Sequence, residues 1–206
     1  IRIGLTGGIA CGKSTVSNYL SAMGIPILDA DQVAREVVSI GSEGLQEIEE
    51  SFGSEYLAED GSLDRVRLRM KILEDTTAKK RLEEITHPKI FASVLQWEEQ
   101  QEELGFSACI VDAALMIETG SYRRYDAIIV VSCEPTLQEK RLQERNQLDR
   151  ETARKWIKSQ MPLPEKESYA DWVIDNSSSL SELEDLLHKQ WALFIHSIQN
   201  KSSNAN

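Results

Sequence analysis

The apolar positions of this chain fall into two kinds of pattern. Short, near-continuous apolar runs occupy residues 1–6, 25–28, 108–115, 126–133 and 172–175. Runs of that length without polar alternation predict strands of a parallel sheet covered on both faces. Between them the apolar residues recur at three and four. Val16, Tyr19, Leu20 and Met23 form one such stripe, stopped by Gly24 and Pro26. Val33, Ala34, Val37 and Val38 form a second, and Leu45, Ile48 and Phe52 a third that ends at Gly53. Further helices are predicted over 63–73 with Ser62 as cap, over 78–85, and from Pro88 through Trp97, with Thr86-His87-Pro88 as an interruption. Others follow Pro135, run over 149–160, and close the chain over 180–198 before a polar tail at 201–206. The pattern predicts an α/β fold: a parallel five-stranded sheet flanked by helices. A helical segment is inserted between two strands, because residues 41–105 carry almost no strand signal.

The first strand runs into Gly7-Gly8-Ile9-Ala10-Cys11-Gly12-Lys13-Ser14-Thr15, which reads G-x-x-x-x-G-K-[ST]. Its glycines let the backbone curl so that successive N–H groups of Gly8 to Thr15 point at phosphate oxygens. The helix behind the loop adds its unsatisfied N–H groups and the positive end of its dipole. Lys13 is expected to reach the β- and γ-phosphates, and the Ser14 hydroxyl to ligate magnesium. Strand before and helix after are the context this motif requires, so the fold is expected to be of the P-loop NTPase type.

The second strand ends in Asp29-Ala30-Asp31, on the sheet edge where open parallel sheets bind ligands. Asp31 is placed to act as general base toward an acceptor hydroxyl, or else one of the two aspartates caps the following helix; spacing alone leaves both open. Asp112 closes the third strand, either as a water-mediated magnesium ligand or, the slightly favoured reading, as a turn carboxylate. Arg141 and Arg145 share a helix face, as a lid clamping a triphosphate or as a solvated basic stripe.

Composition narrows the partners. The formal net charge is −11, which argues against a general nucleic-acid binder. No apolar run approaches the roughly 20 residues of a membrane span, and the opening run reads as a strand and not as a signal peptide, so a cytoplasmic setting is expected. The three cysteines, Cys11, Cys109 and Cys133, are too far apart in sequence for a zinc site or a disulfide framework. Cys109 and Cys133 are expected in the core. Cys11, near a helix N-terminus, is expected to have a lowered thiol pKa and to slow ATP binding when alkylated. His188 and His196 read as surface or packing residues.

Taken in order, the motifs resemble the dephospho-coenzyme A kinase family over nearly the whole chain. The phosphate loop from Thr6 to Thr15 matches its opening. Asp29-Ala30-Asp31 with Ala34-Arg35, Asp60-Gly61-Ser62-Leu63-Asp64-Arg65, Thr86-His87-Pro88, and Gln160-Met161-Pro162-Leu163 with Lys166 and Ala170 to Asn176 match its later elements. The resemblance implies a kinase that moves the γ-phosphoryl of ATP to the ribose 3′-hydroxyl of dephospho-coenzyme A, with magnesium. Asp31 falls on the base and also on the acceptor site, with Arg35 and His87. Arg141 and Arg145 fall on the lid, and Asn176 near the adenine pocket. The implied division is a nucleotide core (1–33, 106–135, 170–206), an acceptor domain (34–105) and a lid (136–169). ATP and dephospho-coenzyme A are the expected partners, with neither nucleic acid nor membrane, and the chain a monomer or weak homo-oligomer. Three positions depart from the family: Ala114-Leu115-Met116, Asn146 after Arg145, and Trp156, where an arginine is usual and Arg154 is the nearest substitute. Another small-molecule kinase is the nearest alternative. A nucleotide switch protein is a more distant one, disfavoured by the lack of an Asn-Lys-x-Asp motif.

Overall fold

The computed structural model describes residues 1–203. Five strands, β1 (Arg2–Gly7), β2 (Ile27–Asp29), β3 (Cys109–Asp112), β4 (Ala127–Ser132) and β5 (Trp172–Asp175), form one sheet in the order β2-β3-β1-β4-β5. The sheet is parallel, with Leu5 opposite both Asp112 on β3 and Ile129 on β4. β3 and β4 are buried along their whole length and β1 almost so, as near-continuous apolar runs require. β2 and β5 are the edges, and Val173 of β5 stays half exposed.

The helices are α1 (Lys13–Ala22), α2 (Ala30–Glu36), α3 (Glu43–Phe52), α4 (Arg65–Glu74), α5 (Thr76–Glu103), α6 (Pro135–Asn146), α7 (Arg150–Lys158), α8 (Leu163–Glu167) and α9 (Leu180–Ser203). α9 runs past the predicted end at 198, so Lys201 belongs to the helix; of the predicted tail, 204–206 lie outside the described residues.

The chain separates into two compact units, Ile1–Leu28 with Gln101–Asn206, and Asp29–Gln100. In the first, Val16 and Leu20 of α1 and Leu183, Leu187 and Phe194 of α9 pack with Ile3, Leu5, Ile129 and Ile174 of the sheet. A second cluster unites Met116, Ile117, Ile128 and Val130 with Met161 and Leu163. Residues 136–169 are tied into this unit because α8 plants a fully buried Lys166 in it. Met116, one of the departures from the family, lies against Gly4, where any Cβ would collide with its sulfur.

In the second unit Val38, Ile48, Leu68 and Ile85 form a small core. Two sequence expectations change here. The cap of α4 is Asp64, which accepts the Arg67 N–H at 2.9 Å, while Ser62 donates its N–H and hydroxyl to Asp60. And α5 is continuous through Pro88. Ile85 and Val94 are buried on either side of it, while Glu84, His87 and Pro88 are exposed. Packing holds the helix, and the hydrogen bond that proline forfeits lies on the wet face.

Candidate active site

Gly7 ends β1 at the C-terminal edge of the sheet, and the chain curls back through Ala10 (φ 59°) and Gly12 (φ 86°) before α1 begins at Lys13. Positive φ at Gly12 is what glycine permits cheaply, and Asn176 leaves no room there for a Cβ. The loop spends some of its N–H groups internally. Gly8 donates to the Val131 carbonyl at 3.4 Å and Cys11 to that of Gly8 at 3.1 Å. Ile9 donates to the Gln160 side chain at 3.1 Å, and Thr15 to the Gly12 carbonyl at 2.9 Å. Among the described residues, the N–H groups of Ala10, Gly12, Lys13 and Ser14 take no acceptor in the chain. Four unspent donors on the first turn of a helix and the loop before it make an anion site. The N–H groups of Gly8, Ile9, Cys11 and Thr15 have acceptors within the chain.

The Lys13 ammonium forms an ion pair with the Asp112 carboxylate, which also accepts the Ser17 hydroxyl at 3.0 Å. Asp112 is therefore part of the phosphate-loop site and not a mere turn carboxylate. It is buried at the end of β3, which pairs directly with β1. Ser14 is exposed on the first turn of α1. Hydroxyl and carboxylate oxygens are a hard donor set, which suits magnesium better than a soft metal.

Cys11 departs from expectation. Its side chain is fully buried against Cys133. The hydrogen bond shared with Cys133, and then burial, push the thiol well above its ordinary range, outweighing the Gly8 backbone hydrogen bond and the Arg141 charge, which act the other way. Cys133 moves the other way, held down by the bond from Cys11 and by the Arg141 guanidinium.

The loop is braced from behind. Asn176, also buried, donates to the Cys11 carbonyl at 2.9 Å, and its own carbonyl accepts from Arg141 at 2.9 Å. The Asn176 side chain thus supports the loop itself. Gln138 of α6 donates to the Ile9 carbonyl at 2.9 Å, so two glutamines grip the main chain of one loop residue from both sides. Lys166 reaches the Ala114 carbonyl at 3.1 Å, the Gly7 carbonyl at 3.4 Å and the Glu118 carboxylate at 2.9 Å. Pattern reading misses the buried Lys166 and Gln138 and the half-buried Gln160 as anchors, because their partners lie far away in sequence.

On α6, Arg145 is exposed and bonds Asn146 at 2.8 Å. Arg154 does not stand in for the missing arginine at Trp156. It bonds Glu139 at 2.6 Å, beside Arg150, and so braces α7 on α6.

In the second unit, Asp29 caps α2, accepting the N–H groups of Asp31 at 2.8 Å and Gln32 at 3.2 Å. Asp31 is exposed, and its carboxylate has no hydrogen bond or ion pair among the described residues. Arg35 lies one turn further along α2, and His87 is exposed on α5.

A phosphate loop opening a helix behind the central strand of a five-stranded parallel sheet defines a P-loop kinase-type fold. A computed family description, dephospho-CoA kinase (CoaE), matches residues 1–182. A dephospho-CoA kinase of Listeria monocytogenes is 44% identical over 193 residues, 94% of each chain. That of Bdellovibrio bacteriovorus is 42% identical over 85% of this chain and 87% of its own. Among solved structures, TT1252 from Thermus thermophilus superposes with a TM-score of 0.79 at 31% identity, covering 93% of this chain and 96% of that one. The dephospho-CoA kinase of Campylobacter jejuni gives 0.63 at 28% identity, over 94% and 96%. The chain belongs to the dephospho-CoA kinase family.

Proposed function

We propose that this chain works as its family does, moving the ATP γ-phosphoryl group to the ribose 3′-hydroxyl of dephospho-coenzyme A, with the following division of labour. The observation that carries it is the set of four unspent N–H groups beside Lys13, a cradle for a polyphosphate. Lys13 neutralises the β- and γ-phosphates, its ammonium aligned by Asp112. The Ser14 hydroxyl would hold magnesium, with Asp112 behind a water; the ion supplies charge neutralisation on the phosphates. Arg141 and Arg145 of α6 belong to the lid that covers the triphosphate.

Asp31 accepts the proton of the acceptor hydroxyl. Asp29 does the capping, which leaves the Asp31 carboxylate free for that work. Arg35 and His87 serve the acceptor, and Asn176 keeps the loop in shape beneath the nucleotide. Phosphoryl transfer asks mainly for alignment and for charge to be met as it develops, and these residues are of the kinds that supply both. Among the described residues no helix is long and apolar enough to cross a membrane. We assign the chain to the cytoplasm, acting as a monomer or weak homo-oligomer.

The test is ADP release from magnesium-ATP with and without dephospho-coenzyme A, with mass spectrometry of the product. A gain of one phosphate that needs both substrates is the expected result. ADP release indifferent to dephospho-coenzyme A, in folded protein that binds ATP, would overturn the assignment.

A further inference from the structure

The second unit holds an open cavity of about 240 Å³, lined by Ala34, Val38, Ile48, Leu68 and Ile72 together with Arg65 and Arg69. Complete small-molecule sites run from about 300 Å³ upward, so this one is sized for one arm of a ligand.

The charges around it are unusual for a chain whose formal net charge is −11. α4 opens with Arg65, Arg67 and Arg69 in its first five positions. Cations there face the positive end of the helix dipole, which costs energy unless an anion answers them. Arg67 is answered, by the Asp64 carboxylate and the Glu55 carbonyl. The Arg69 side chain has no hydrogen bond or ion pair among the described residues, and the Arg65 side chain has only a long bond of 3.3 Å to the Arg35 carbonyl. An unanswered arginine lining a largely apolar cavity asks for a ligand with an anionic group next to an apolar chain.

Position says which ligand. Asp31, Ala34 and Arg35 lie three and four residues apart on α2, and so share a face. Ala34, on the cavity wall, is about 4.5 Å along the axis from Asp31. In dephospho-coenzyme A the ribose carries both the 3′-hydroxyl and, through its 5′ carbon, a diphosphate that leads into the pantetheine arm. With the hydroxyl at Asp31, the diphosphate and arm extend along this face. We propose that Arg65 and Arg69 bind the acceptor's diphosphate, and that the cavity behind them takes the apolar gem-dimethyl portion of the arm. This rests on the role given to Asp31 above. It makes Arg69 a residue that selects the acceptor.

The test uses the full chain and two probes, dephospho-coenzyme A as substrate and 4′-phosphopantetheine as inhibitor. Wild-type protein should be inhibited by 4′-phosphopantetheine competitively with dephospho-coenzyme A. Arg69→Gln should raise KM for dephospho-coenzyme A about tenfold or more and weaken that inhibition in parallel, leaving KM for ATP and the melting temperature unchanged. Arg67→Gln, whose partners lie within the chain, is the control and should keep the parent KM for the acceptor. An Arg69→Gln enzyme with parental KM, or an Arg67→Gln enzyme equally impaired, would overturn the assignment while leaving the kinase reading intact. Wild-type protein that makes no coenzyme A would overturn both.

Discussion

The Asp29 carboxylate accepts the backbone N–H of Asp31 at 2.8 Å, so two carboxylates that look alike in sequence have different work. Asp29 ends β2 and caps α2, while the carboxylate of Asp31, at the second position of the helix, takes no hydrogen bond or ion pair among the described residues. Asp29→Ala is expected to cost about 0.5–2 kcal/mol of stability, with turnover largely retained at a temperature where the variant is folded. Asp31→Asn should keep the melting temperature and lose about 10²–10⁴ in kcat, with ATP affinity unchanged. Calorimetric unfolding and steady-state rates on both variants check the division; full turnover by Asp31→Asn would remove the base from the scheme.

Asp112 holds Lys13 and Ser17 at the end of β3. Asp112→Asn keeps an acceptor for Ser17 and loses the charge that orients the ammonium. The expected result is a folded protein whose activity needs more magnesium for its half-maximal value. Lys13→Met should weaken ATP binding outright and lower kcat by about 10²–10³, as when a donor aimed at developing charge is removed. A magnesium titration of Asp112→Asn identical to that of the parent would leave its carboxylate a purely structural one.

Much of this was legible beforehand, and the exceptions share a cause. Strands β1, β3 and β4 announce themselves because burial on both faces excludes polar residues from them. The phosphate loop does so because its backbone conformation demands glycine at fixed places. Pro88 misled because a local rule ends a helix there, whereas tertiary packing of Ile85 and Val94 carries α5 through. Lys166 was invisible as a core residue because pattern reading puts lysine outside. Only the fold brings the carbonyls of Gly7 and Ala114 and the Glu118 carboxylate around its ammonium. The role of Asp112 was undervalued for the same reason, since its partner lies on α1, far away in sequence.

Cys11 illustrates how burial reverses a local expectation. A helix N-terminus lowers a thiol pKa only where the thiolate is tolerated, and here the sulfur is enclosed and shares a hydrogen bond with Cys133. Iodoacetamide at mildly alkaline pH should therefore leave Cys11 unlabelled in the folded protein and label it promptly in denaturant. Peptide mapping by mass spectrometry reads the difference. Labelling at equal rates in both states would show the sulfur to be accessible.

Gln160 and Gln138 hold the peptides on either side of Ile9, the first accepting from its N–H and the second donating to its carbonyl. Because they hold the two consecutive peptides that meet at the Ile9 Cα, and so fix the same φ and ψ, their effects should not add. Gln138→Leu and Gln160→Leu are each expected to raise KM for ATP. The double variant should differ from the sum by a coupling of about 0.5–3 kcal/mol, the range for residues in one network. Strict additivity would mean that the two side chains act independently on the loop.

Glu139 of α6 receives Arg154 at 2.6 Å and Arg150 at 2.5 Å from α7. Arg154 first and Arg150 second hold its carboxyl below the ordinary glutamate value of 4.5. A group whose pKa is lowered by folding stabilises the folded state above its unfolded value, and that contribution disappears as the pH falls through the lowered one. Clasping of α7 to α6 should thus be complete at neutral pH and fail in acid, below 4.5. Glu139→Gln should melt at a lower temperature than the parent at neutral pH, with the gap closing as the solution is acidified below that value. Added salt should narrow the gap at neutral pH as well, because the arginines are largely exposed and their attraction is screened. A gap that persisted unchanged into acid would assign the effect of the substitution to packing and not to the ion pairs.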